Sequence, residues 1–145
     1  MTDDLESAVR SALANDPTIG TACTGTDGAV RIYPVALKQG SGFPALTFHR
    51  VSAIRNEKIG SYAHSSVPAG YLGRGWARFS ITVWSPEFND TVVLASAVVK
   101  LIHSLDLAGS GNSMNKILLQ RYTREPESDV FQHVIDAQIW FTEST

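Results

Sequence analysis

The chain has 145 residues, a length that suits one domain with one buried core. Its 43% hydrophobic and 18% charged residues are those of a globular protein, not of a disordered one. The formal net charge of −2, with 12 basic against 14 acidic side chains, lacks the basic excess of a dedicated nucleic-acid binder.

Cys23 is the one cysteine, so no intramolecular disulfide forms. A zinc site would need three further ligands, and the scattered histidines and carboxylates show no metal-ligand spacing. The first residues are acidic, unlike the basic start of a secretory signal. The most apolar stretch, Val92 to Ile102, is too short to span a bilayer. The expectation is a protein of a reducing cytosol, without membrane contact.

Asp3 and Glu6 have capping-box spacing, and Leu5, Val9, Ala12 and Leu13 recur at helical intervals. This predicts an amphipathic helix from about Asp4 to Ala14, stopped by Pro17. Residues 18 to 28 read as loop. Ala29 to Val35 reads as a strand, ending or lying at an edge because Pro34 has no amide hydrogen. Phe43 to Val51 reads as a second strand.

The segment from Ala53 to Gly75 sustains no period and reads as a long loop. A loop of that length inside a small domain points to function or disorder. Its glycines, serines and charges bury little apolar surface, so it is expected to order on a partner. Arg55, Lys58, Tyr71 and Arg74 are the contact residues expected there.

Trp76 to Trp84 is the clearest strand, with Ala77, Phe79, Ile81 and Val83 facing one way. Ser85-Pro-Glu87 supplies an N-cap and a proline for a second helix, with Asn89-Asp90 as an alternative start. That helix runs to about Leu105 and carries two apolar stripes, which predicts cover on more than one side, from the sheet, the first helix or a neighbouring subunit. Lys116 to Arg124 and Val130 to Thr142 read as a hairpin. The order predicts one α+β domain over residues 1–145: an antiparallel or mixed sheet, one long helix on a face and a short N-terminal helix.

No catalytic, cofactor-binding or metal constellation emerges. Gly70 to Gly75 is glycine-rich but leads into a strand, so no helix N-terminus stands behind it to hold a phosphate. No two of His49, His64, His103 and His133 share a helix face. His133 lies on its strand's apolar face, the place of a packed, hydrogen-bonded histidine, and Asp136 falls on the opposite face. Trp76, Trp84 and Trp140 each lie opposite their strand's apolar row. Three tryptophans there predict that this second face is also covered, by a helix or a partner, with partner contact expected for at least one of them.

Two segments carry a family likeness. Arg78 to Val92, a strand ending in Trp84, a polar turn and an alanine- and valine-rich helix, is one. Tyr122 to Phe141, a hairpin closing in Asp136 to Trp140, is the other. With the opening helix and the Ile32-Tyr-Pro34 segment, the chain resembles the tail terminator (tail completion) proteins of long-tailed bacteriophages over nearly its whole length. The loop from Ala53 to Gly75 departs most from that pattern.

The resemblance implies a virion structural protein, not an enzyme, without cofactor. Such proteins form a hexameric ring at the head-proximal end of the tail, assembled in the host cytoplasm. The ring caps the tail tube protein, stops tube growth and meets a neck or head-completion protein. DNA would pass through its bore without specific binding. Two other readings remain: another head–tail connector or minor capsid ring component, and a small cytosolic ligand-binding domain or enzyme.

Overall fold

The computed structural model describes residues 2–38, 40–55, 71–107, 115–125 and 129–144. Helix α1 (Thr2–Asn15) is followed at once by α2 (Pro17–Cys23). Strands β1 (Ile32–Pro34), β2 (Ala45–Arg55) and β3 (Tyr71–Ser85) come next, then α3 (Phe88–Ser104) and the strands β4 (Lys116–Glu125) and β5 (Val130–Ser144). The strands form one five-stranded sheet in the order β1-β2-β3-β5-β4. Only β1 runs parallel to its neighbour, so the sheet is mixed.

The described helices pack on one face of this sheet. Leu5, Val9 and Leu13 of α1, Ile19 and Cys23 of α2, and Leu94, Ala95, Val98 and Ile102 of α3 share one core with the inward rows of the strands. The alternation read from β3 and β5 holds. Ala77, Phe79, Ile81 and Val83 are buried, as are Ile135, Ala137 and Ile139. Fully burying one such side chain contributes about 1.5–3 kcal/mol.

Helix α2 corrects the reading of residues 18 to 28 as loop. Pro17 does end α1, but it also begins the next helix. Asp16 is the N-cap, and its carboxylate accepts the amides of Thr18 and Ile19 at 3.0 and 3.1 Å. Proline in the first turn loses nothing, because its missing N–H would have had no partner in the helix. Gly20 makes the tight corner possible. A Cβ there would sit 2.3 Å from the carbonyl oxygen of Ala14.

Other boundaries move as well. The first strand spans only Ile32–Pro34, with Val30 held in a single bridge to Thr24. The segment read as loop from Ala53 to Gly75 is shorter, because β2 reaches Arg55 and β3 starts at Tyr71. The two strands pair as far as Arg55 and Gly75, and that ladder overrides the glycine-rich composition. Residues 56–70 lie outside the described residues. The N-cap of α3 is Glu87 rather than Ser85, whose hydroxyl instead accepts the Glu87 amide at 3.1 Å in the turn before the helix.

The apolar excess of α3 is covered within the chain. Leu94, Ala95, Val98 and Ile102 are buried, and Val92, Val99, Leu101 and Leu105 are half-buried. Helices α1 and α2 supply the second side of cover. Val93, half exposed, lies on the outward line with Asn89, Ser96, Lys100 and His103. The helix therefore gives no independent reason for a neighbouring subunit.

Candidate interaction surfaces

Two parts of the molecule stand apart from the core. The first is the sheet face that carries no helix among the described residues. Register builds it from three strands. On β3, Trp84, Thr82 and Ser80 lie beside Ala45, Thr47 and His49 of β2. On the other side they lie beside Gln132, Val134 and Asp136 of β5. Trp76 and Trp140 are direct cross-strand partners. Paired side chains on one face sit about 4.5–5.5 Å apart at Cβ, so the two tryptophans leave the sheet side by side.

All three tryptophans are half-buried and therefore accessible. Trp84 is held in place: its indole N–H donates to the Thr47 hydroxyl at 3.0 Å. In the middle of the face, Arg78 Nη2 donates to Asp136 Oδ2 at 2.7 Å. The face is thus aromatic at both ends and neutralised at its centre. The expectation that Asp136 and His133 lie on opposite faces is met: Asp136 pairs with Arg78, while His133 is buried on the helix side.

The second part is the outer strand, β4. Its side chains from Leu118 to Arg124 are all exposed. Tyr122 packs over His133 with ring centroids 4.0 Å apart and against Phe88 at 5.4 Å, and Phe88 meets Phe131 at 5.5 Å. His133 Nε2 and Gln120 Oε1 are 3.0 Å apart, which makes Nε2 the proton-bearing nitrogen of the neutral ring. Nδ1 is buried without a hydrogen-bond partner. Burial holds the His133 pKa below the ordinary imidazole value.

Of the other residues singled out in the sequence, Arg55, Tyr71 and Arg74 occupy strand positions at the end of β2 and the start of β3. Lys58 lies outside the described residues, as does His64. The fold sets Trp76 near that end of the sheet and Trp84 at the other. Among the described residues, no group of three metal-ligating side chains comes together. No described helix is long and apolar enough to cross a membrane.

Three residues that organise the structure gave no signal in the sequence. Asn115 is buried and joins α3 to β5 through its side chain. Arg31 donates to the carbonyls of Pro44 and Ala22 at 2.8 and 3.2 Å and so ties α2 to the start of β2. Gln120 is the partner of His133. Asp16-Pro17 did carry a signal, a cap residue before a first-turn proline. Cys23 is buried beneath Arg31's loop, and its thiol is pushed to about 11 by burial, with Arg31 pulling weakly the other way. A thiol held protonated in this way is a packing group, not a nucleophile.

An α+β domain with an aromatic sheet face that no described helix covers, and an outer strand with no described strand beyond it, defines the class of protein. Its family follows from comparison: the chain belongs to the family described as Tail completion protein gp17, which matches residues 7–142. It is a structural protein of the bacteriophage tail, located in the virion. Its fold is also similar to a chain in the solved structure titled "Virion of native gene transfer agent (GTA) particle". The TM-score is 0.59 at 19% identity, over 97% of this chain and 95% of that one. No curated protein sequence matches the chain.

Proposed function

We propose that this protein is a tail terminator that assembles into a closed ring, a hexamer, at the head-proximal end of the tail. The ring caps the last layer of tail tube subunits, stops tube polymerisation and offers its other side to a neck or head-completion protein. The observation that carries this reading is the family match over residues 7–142. The open sheet face and open outer strand support it, since a ring needs different patches of one subunit to meet head to tail. In this reading Arg55, Lys58, Tyr71 and Arg74 contact a partner, as do Trp76, Trp84 and Trp140.

The role is structural, without catalysis or cofactor. DNA passes through the bore without specific binding, because each phosphate neutralised by Lys or Arg adds salt-sensitive retention that would slow ejection. The bore surface is then neutral or acidic. Native mass of the purified protein and electron microscopy with and without tail tubes test the reading. A cyclic oligomer that caps tube ends supports it. A protein that stays monomeric at micromolar concentration and leaves tubes growing overturns it.

A further inference from the structure

The sheet ends differently on its two sides. At the β1 side the edge is three residues long, contains Pro34, and runs into Val35 at φ 69°, a left-handed conformation that β-branched residues rarely adopt. These features blunt an edge against further pairing. At the other side, β4 runs for ten residues without a proline, and among the described residues no strand lies beyond it. Its outer main-chain groups are a ladder awaiting a partner, broken by one bulge between Ile117 and Leu119.

Side chains along β4 select what that partner is. On the helix side, Tyr122 and Phe88 are 51% and 48% exposed and meet at a tilt of 45°, forming an apolar step beside the strand. On the open face, register places Lys116 beside Gln138 and Arg121 beside Val134. Among the described residues neither cation makes an ion pair, whereas Arg124 is matched by Asp129. A β4–β4 ladder in the register that sets Lys116 opposite Arg121 would oppose two cations, and like charges across a ladder repel, whereas a strand bearing carboxylates there pairs with both.

We propose that the β4 edge takes up an extended segment of a partner protein as a sixth strand. The segment's carboxylates face Lys116 and Arg121, and its apolar side chains, alternating with them, cover Tyr122 and Phe88. Main-chain hydrogen bonds give the affinity and the alternation gives the selectivity, as in other strand-addition complexes. The inference goes beyond ring formation and does not require it.

The test uses the full chain and two capped heptapeptides, one alternating glutamate with valine and one alternating lysine with valine. Fluorescence anisotropy measures binding, and amide hydrogen exchange locates it. The acidic peptide is expected to bind about tenfold more tightly at low salt, from two charge pairs reversed in sign. Exchange of the β4 amides slows, the double substitution Lys116→Glu with Arg121→Glu reverses the preference, and an N-methylated acidic peptide does not bind. Equal binding of both peptides, protection away from β4, or undiminished binding of the N-methylated peptide overturns the proposal. Displacement of the peptide by duplex DNA, with the same dependence on Lys116 and Arg121, also overturns it by assigning the cations to phosphate. Sedimentation of the same samples reports the ring separately. A ring former that ignores the peptide loses this inference alone, and a peptide-binding monomer loses only the ring.

Discussion

The side-chain oxygen of Asn115 accepts the backbone N–H of Trp140 at 2.9 Å, just past the last ladder pair of β4 and β5, Lys116 with Gln138. The same amide group donates to the carbonyls of Ile102 and Leu105, both at 2.8 Å. One side chain thereby bonds two carbonyls at the end of α3, where helical acceptors run out of amide donors, and a donor that β4 does not reach.

Asn115→Ala removes all three bonds from a site only 8% exposed. Buried groups left without partners cost about 1–3 kcal/mol each where water cannot replace the bond, so a loss of about 2–4 kcal/mol is expected. Urea unfolding checks it. The midpoint should fall while the slope stays unchanged, because the native and unfolded surfaces are the same.

Gly20→Ala places a methyl group against the Ala14 carbonyl, where a Cβ would be 2.3 Å away. Backbone has to move, and overpacking of this kind costs about 1–3 kcal/mol. Asp16→Ala, which only removes the cap of α2, should cost about 1 kcal/mol. Thermal denaturation of both variants ranks them. Equal losses would mean that the α1–α2 corner is not the tight point the geometry shows.

The helix-side rows of β3 and β5 and the long helix were legible because their periods of 2 and 3.6 repeat over many residues. Ala77 to Val83 and Ile135 to Ile139 are examples. Helix α2 was not legible as a helix, because seven residues, Pro-Thr-Ile-Gly-Thr-Ala-Cys, are too few to show a period and are poor helix formers. It holds by its cap and by burying Ile19 and Cys23 against the other helices. Asn115 and Arg31 were invisible because their partners are backbone groups distant in sequence. The tryptophans were placed correctly on the second face, yet their row alone did not say whether a helix covers it.

His133 makes stability depend on pH. Its folded pKa lies below 6.5, so between the two values the unfolded chain binds more protons than the folded one. Stability conferred by the neutral ring is full above the unfolded value and falls as pH drops through 6.5 toward the folded value. His133→Gln, neutral throughout, should flatten this part of the curve. Comparing urea midpoints of parent and variant at pH 7.5 and 5.5 isolates the contribution of His133. Parallel losses in both proteins would show that His133 does not titrate differently on folding.

The open sheet face offers a way to separate folding from assembly. Trp76 and Trp140 are cross-strand neighbours, half-buried, on a face that no described helix covers. Replacing a half-buried indole with threonine keeps strand propensity and removes apolar contact. Each substitution, Trp76→Thr or Trp140→Thr, should therefore cost only about 1–2 kcal/mol of subunit stability, part of the full burial of an aromatic side chain. Trp84→Phe should cost about 1 kcal/mol through loss of the bond to Thr47. If the face is an interface in the virion, the Trp76 and Trp140 variants should lose ring formation or tube capping far out of proportion to these losses, because aromatic anchors dominate interface energetics. Sedimentation velocity and electron microscopy with tail tubes measure assembly, and circular dichroism melts measure the fold. Rings that form and cap tubes as the parent does, from subunits carrying both threonines, would remove this face from the contacts and leave the assembly to the segment from Ala53 to Gly75 and the outer strand.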